Sequence, residues 1–228
     1  MSRKRVIVAL DSDDFNKIKN LVKILKNDVY AFKIGYEFFF NFGLTGYKNI
    51  YSICPKIFLD LKLHDIPNTV KKGLNALNKI KPLLTTIHIS GGDHMMLSSK
   101  SKNKFTKILG VSILTSLDSK QTKKYYNENK ISLLVKKFAK MAKKNNLDGI
   151  VCSPKEIKDI RKETGKKFII VTPGIRIDKK IKNDDQKRVM TPEKAIELGA
   201  NYLVIGRPIT AAKDPLEVLK SINSKLIK

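Results

Sequence analysis

Eight short apolar runs punctuate the chain, most of them followed by a stretch of helical character. They are VIVAL (6–10), YAFKIG (30–35), KIFLDLKL (56–63), LLTTIHIS (83–90), KILGVSIL (107–114), GIVCS (149–153), FIIVT (168–172) and YLVIG (202–206). Short runs rich in Ile and Val suit strands buried on both faces of a parallel sheet. Between them, Ile131, Leu134, Val135, Phe138 and Ala142 recur at helical spacing, the stripe of an amphipathic helix. Val70, Leu74 and Leu77 make a shorter stripe, with Pro67 at its boundary and Asn68 or Thr69 as the expected cap. Leu216, Leu219 and Ile222 give a last one. Strand then helix, eight times over 228 residues, is the count of a single-domain (β/α)8 TIM barrel spanning residues 1–228. An open doubly wound sheet is the rival, but its glycine-rich first turn is missing from VALDSDD.

The carboxyl end of nearly every run carries a polar group. Asp11 follows the first run and Lys33 sits near the end of the second. Asp60, Lys62 and Asp65 come at the third, His88 at the fourth, and Thr115 with Ser116 at the fifth. Ser153 closes the sixth, Pro173, Gly174, Ile175 and Arg176 follow the seventh, and Gly206 and Arg207 end the eighth. A barrel gathers these ends at one face, where its active sites are built. The pattern points to an enzyme.

The third run holds the densest chemistry. Residues two apart on a strand share a face, so Asp60 and Lys62 are expected to project together into the barrel mouth, with Leu59, Leu61 and Leu63 toward the helices. Lys33 reaches the same space from the next strand, and Asp65 lies on the loop just beyond. Two lysines and two carboxylates form a neutral array, which buried charges require. Nearby carboxylates favour the cationic form of a lysine, and such a lysine can act as a general acid.

Composition changes the picture little. The formal charge is +25, yet only six of the 46 Lys and Arg are Arg, and the lysines are spread along the whole chain. No basic tail or aromatic-interleaved basic block appears, so no specific nucleic-acid partner is expected. The positive field favours phosphorylated small molecules. Cys54 and Cys152 are too few and too apolar in setting for a disulfide framework or a metal site. His64, His88 and His94 show no zinc-like helical spacing, so no metal is expected. No apolar run reaches the roughly 18 residues of a membrane span. The run before Asp11 has five residues, short of a signal peptide's roughly 7–15. A cytoplasmic protein without membrane contact is expected.

Phosphate sites in barrels often sit on the loops after strands 7 and 8. TPGIRIDKKIKNDDQKRVMTPEKA, after the seventh run, is long and polar and reads as a lid, ending at a helix near Thr191 and Pro192. After the eighth, VIGRPIT offers Gly206 for close backbone approach and Arg207 as a bidentate donor.

With DLKLHDIPNTV come VALD, AFKIG, TPGIR, DDQKRV and VIGRPIT, in that order from Asp11 to Thr210. Together they resemble the orotidine 5'-phosphate decarboxylases of bacterial type. The shorter Asp-x-Lys-x-x-Asp alone is shared with related sugar-phosphate barrel enzymes that use a divalent metal. The resemblance implies cofactor-free decarboxylation of orotidine 5'-phosphate to uridine 5'-phosphate by a homodimer with shared active sites. It implies that Lys62 protonates C6 of the pyrimidine as carbon dioxide leaves, with Lys33, Asp60 and Asp65 completing the charged network and Asp65 lent by the partner subunit. Asp11 and Lys33 would hold ribose hydroxyls, with Thr69 a further ribose contact from the partner. The whole run Asp60, Leu61, Lys62, Leu63, His64, Asp65, Ile66, Pro67, Asn68 and Thr69 is expected to bind substrate. Thr115 matches a substrate-binding position and Ser153 one that reads the pyrimidine edge. Arg176, Gln186, Gly206 and Arg207 match the phosphate grip, with Gln186 on the lid. One departure is Asp184, where the family often has Gly.

Overall fold

The computed structural model describes residues 4–99, 105–176 and 189–226. Eight parallel strands close into a barrel in sequence order. They are β1 (Val6–Ala9), β2 (Ala31–Ile34), β3 (Ile57–Leu63), β4 (Leu84–His88), β5 (Lys107–Val111), β6 (Gly149–Val151), β7 (Ile169–Thr172) and β8 (Tyr202–Ile205). Each lies within one of the eight apolar runs. The (β/α)8 TIM barrel expected from the run count is therefore the observed fold.

Ten helices surround the barrel among the described residues: α1 (Phe15–Leu25), α2 (Tyr36–Ile53), α3 (Pro67–Ala76), α4 (Gly92–Ser99), α5 (Ser119–Tyr126), α6 (Ile131–Lys144), α7 (Ile157–Thr164), α8 (Pro192–Glu197), α9 (Arg207–Thr210) and α10 (Pro215–Lys225). The surplus over eight comes from the β5–β6 connection, which holds α5 and α6, and from the segment after β8, which holds α9 and α10. α2 kinks at Gly43, whose φ is 57°; glycine meets no Cβ penalty there. No described helix is long and apolar enough to cross a membrane.

Strand alternation divides the core in two. Val6, Val8, Phe32, Ile34, Ile57, Leu59, Ile150 and Leu203 face outward against the helices, in the larger cluster. Ile7, Ala31, Phe58, Leu84, Leu109, Val171 and Tyr202 face inward and fill the barrel. Burying each large side chain contributes about 1.5–3 kcal/mol. The stripe on α6 does what its spacing predicts, burying Leu134, Val135, Phe138 and Ala142.

The start of α3 differs from expectation. Ile66 is the N-cap and Pro67 opens the helix, so Asn68 and Thr69 lie inside the first turn rather than capping it. Proline's fixed φ and missing N–H suit that first position. The Ile66 N–H instead donates to the Asp65 carboxylate at 2.6 Å.

Candidate active site

The inward positions one step above the packed layer are Lys33 on β2, Asp60 on β3 and Thr86 on β4. Lys62 Nζ meets Asp60 Oδ2 at 2.9 Å. Thr86 donates to the other carboxylate oxygen, Oδ1, at 2.8 Å. Lys33 Nζ pairs with Asp11 Oδ1 at 3.1 Å. Asp60 is buried, and a buried carboxylate needs such partners.

Lys62 arrives by a route that simple alternation does not describe. Its φ is 45°, in the left-handed region. The β3–β4 register steps from Leu59↔Thr85 to Leu63↔Ile87, which places two extra residues on β3. The side chains of Asp60 and Lys62 do meet as expected, but through this bulge rather than a regular pleat. The bulge leaves backbone groups without ladder partners. Lys62 N–H donates to Thr86 Oγ1 at 2.9 Å, and Tyr36 OH donates to the Leu61 carbonyl at 3.0 Å. The Lys62 ammonium lies 5.6 Å from the Tyr36 ring centroid, within cation–π range.

Two adjoining cavities open at this face. One of about 190 Å³ is lined by Lys33, Phe58, Asp60 and Lys62 from β2 and β3, and by Val111, Ile113, Thr115, Val151 and Pro173 from β5 to β7 and the segments that follow them. The second, of about 420 Å³, is lined by Asp11, Lys33, Glu37, Gly174, Arg176, Gly206 and Arg207. Lys33, Pro173 and Val204 belong to both. The first is mostly apolar, with Lys33, Asp60 and Lys62 as its charged members; the second brings Arg176 and Arg207 to one opening.

The remaining expected residues divide. Leu61 and Leu63 pack partly against the outer core. His64, Asp65, Ile66, Pro67, Asn68 and Thr69 are exposed at the rim. The expected four-charge array is not closed among the described residues: Lys62 pairs with Asp60, Lys33 pairs instead with Asp11, and Asp65 stands apart from both. Ser153 is fully buried and caps a short 3-10 turn, accepting from Lys155 N at 3.4 Å. It lines neither cavity. Gln186, Asp184 and most of the expected lid lie outside the described residues. Both flanks of that segment are described: Arg176 N donates to Met190 O at 3.0 Å and Met190 N to Gly174 O at 3.2 Å.

His64 and His88 stack with ring centroids 5.0 Å apart. Burial pushes His88 below the ordinary imidazole range, and His64 and Lys62 push it the same way, against Asp60. Cys54 and Cys152 are both buried free thiols. Burial also pushes the Cys152 thiol up, which makes it a poor nucleophile. Sequence reasoning missed Thr86 and Tyr36. The available signal for the first was a polar residue two positions before His88, on the same inward row of a strand.

Charged groups gathered at the carboxyl ends of a closed parallel barrel are the arrangement of an enzyme, and the paired arginines suit a phosphorylated substrate. Similarity to known proteins narrows this. The model of the orotidine 5'-phosphate decarboxylase / HUMPS family matches residues 4–222, and the chain belongs to that family. An orotidine 5'-phosphate decarboxylase of Ehrlichia canis (strain Jake) is 42% identical over 223 residues, covering 97% of each chain. One of Wigglesworthia glossinidia brevipalpis is 43% identical over 230 residues, covering 99% of each. A crystal structure of orotidine 5'-phosphate decarboxylase from Lactobacillus acidophilus superposes with a TM-score of 0.84 at 36% identity, covering 99% of this chain and all of that one.

Proposed function

We propose that the chain converts orotidine 5'-phosphate to uridine 5'-phosphate and carbon dioxide in pyrimidine biosynthesis, with Lys62 as the proton donor. The activity, that of a carboxy-lyase, follows from family membership and from relatives at about 40% identity over nearly the whole chain. The observation that carries the residue assignment is the Lys62–Asp60 pair at 2.9 Å, in a cavity whose lining is otherwise mostly apolar.

The step balances as follows. The bond between C6 and its carboxylate breaks, carbon dioxide leaves, and the electron pair stays on C6. An N–H of the Lys62 ammonium gives its proton to C6, leaving a neutral amine that solvent reprotonates. The ammonium stabilises the developing negative charge and then quenches it. The apolar side chains of Val111, Ile113, Val151 and Pro173 displace water, which strengthens each charge–charge interaction in the site. Asp60 would face the leaving carboxylate, and Lys33 and Asp11 the ribose hydroxyls. Arg176 and Arg207 would hold the phosphate, with Gln186 added from the lid. Binding energy at this remote group can be spent on orienting the reacting centre.

The homodimer belongs to the same proposal. Asp65 is exposed, and among the described residues its carboxylate accepts only the N–H of Ile66. Next to it in sequence, Ile66 is 68% exposed, and on α2 Phe40 and Tyr36 are 79% and 48% exposed, with the Tyr36 hydroxyl on the Leu61 carbonyl of β3. Tyr36 and Phe40 stack at 5.7 Å. An apolar face of this kind beside a charge-bearing rim supports a second copy docking there and lending Asp65 and Thr69 to its neighbour's cavity. Two buried free thiols also suit a reducing, cytoplasmic setting.

The test is a spectrophotometric assay with orotidine 5'-phosphate, with and without chelator. Turnover unaffected by chelator is expected. An inert enzyme refutes the proposal, and turnover lost on chelation points to the metal-dependent sugar-phosphate branch.

A further inference from the structure

We propose that Thr86 is a positioning residue for the reaction, its hydroxyl fixing the Asp60 carboxylate and the Lys62 backbone at once. The inference rests on the decarboxylase reading above and adds a residue to it.

The neighbouring Thr85 shows what an ordinary buried threonine does in this strand. Its hydroxyl donates to the Leu59 carbonyl at 3.0 Å, on the face turned toward the helices. Thr86 faces the barrel interior and makes two contacts of different kind. Its one hydroxyl proton goes to Asp60 Oδ1 at 2.8 Å. A lone pair on the same oxygen accepts the Lys62 N–H at 2.9 Å.

Each contact answers a specific need. The Asp60 carboxylate carries Lys62 on Oδ2 and Thr86 on Oδ1, so neither oxygen is left to turn the group out of line. Lys62 sits at φ 45°, where a side chain with a Cβ is disfavoured. Its N–H has no ladder partner because β3 gains two residues on β4 at this point. An N–H left unpaired away from water is costly, and the Thr86 hydroxyl pairs this one in the left-handed conformation that Lys62 adopts. One hydroxyl thus sets the geometry of both members of the ion pair, from a residue that lines neither cavity.

Thr86→Val keeps the side chain's shape and deletes both hydrogen bonds, whereas Thr86→Ser keeps the hydroxyl. Val should lower kcat about 10- to 100-fold, the worth of a hydrogen bond to a charged group, with KM within about 3-fold. Ser should stay within about 3-fold of wild type in both constants. A purely structural role would instead lower the folded fraction, seen in the melting curve, and leave the kcat of the folded enzyme unchanged. If the Val variant does not fold, Thr86→Cys is compared with Ser in its place, with a smaller loss of kcat expected. Wild-type kcat in the hydroxyl-deleted variant, or a Ser variant as slow as it, overturns the inference while leaving the decarboxylase reading intact. A wild-type chain inert toward orotidine 5'-phosphate overturns both.

Discussion

Replacing Lys62 with Ala removes the proposed proton donor and also strips a buried carboxylate of its cation. The two consequences must be separated. Stability comes first. The Asp60 side chain is 12% exposed and that of Lys62 28%, with the charged atoms 2.9 Å apart. Deleting one partner of a fully buried pair costs about 3–5 kcal/mol, while an exposed pair is worth about 0–1 kcal/mol. This pair lies between those limits, and Thr86 still donates to the carboxylate, so a loss of about 2 kcal/mol is expected. In a chain of this size that lowers Tm by roughly 4–8 °C. Adding Asp60→Asn removes the unpaired charge and should return most of the loss.

Catalysis behaves differently. General acid catalysis contributes about 10²- to 10⁴-fold, and electrostatic stabilisation of developing charge about 10²- to 10³-fold more. Lys62→Ala should therefore lose at least about 10⁴-fold in kcat, and the double variant should regain stability without regaining turnover. Melting curves give the first quantity, and release of labelled carbon dioxide from carboxyl-labelled substrate gives the second at very low rates. A single variant within about 100-fold of wild type would remove Lys62 from the proton-donor role. A double variant that recovered both would show that Lys62 only neutralises Asp60.

Mixing inactive Asp65→Ala and Lys62→Ala proteins should restore part of the activity, since a mixed dimer holds one site with both residues; no recovery after verified subunit exchange counts against a shared site. Arg207→Ala should raise KM for orotidine 5'-phosphate by about 10- to 100-fold and leave turnover of the bare nucleoside nearly unchanged; equal effects on both would take Arg207 out of the phosphate grip. His88 predicts a pH effect. Its folded pKa is lowered, so the unfolded chain takes up the proton first as pH falls. The stability tied to neutral His88 is present above the unfolded value near 6.5 and is lost as pH drops below it. Tm should therefore fall more steeply between pH 7 and pH 5 in wild type than in His88→Asn, and parallel curves would refute this.

The barrel was legible because its strands are buried on both faces, so each reads as an unbroken apolar run. Their ends were legible because polar residues there, such as Lys33, Asp60 and Arg207, have no place in a packed layer. The helix count was not: Ser119–Tyr126 carries too few apolar positions to signal a helix, and its capping box from Asp118 and Gln121 is a local hydrogen-bond pattern rather than a stripe. The cap of α3 was misread for a related reason. Asn68 and Thr69 are good capping types, but Pro67 already fixes the first helical φ and moves the cap to Ile66, two or three residues upstream. Ser153 was expected at the pyrimidine edge from the family resemblance; within this chain its buried hydroxyl caps a turn, a local contact that its place after β6 did not announce.

The bulge at Lys62 shows where period-two reasoning stops. On a regular strand, residues two apart share a face but sit roughly 6.6 Å apart along the chain. The 2.9 Å contact joins two side-chain tips, and here it is made over a left-handed backbone with two extra residues in the β3–β4 register. A left-handed residue costs roughly 1–2 kcal/mol, and nothing in Leu61-Lys62-Leu63 announces it. What stabilises it comes from elsewhere in the chain: the Thr86 hydroxyl from β4 and the Tyr36 hydroxyl from the start of α2. The charges of this site were visible in one short stretch. The strain that aims them is held by residues 24 and 25 positions away in sequence, which is why only the fold reveals it.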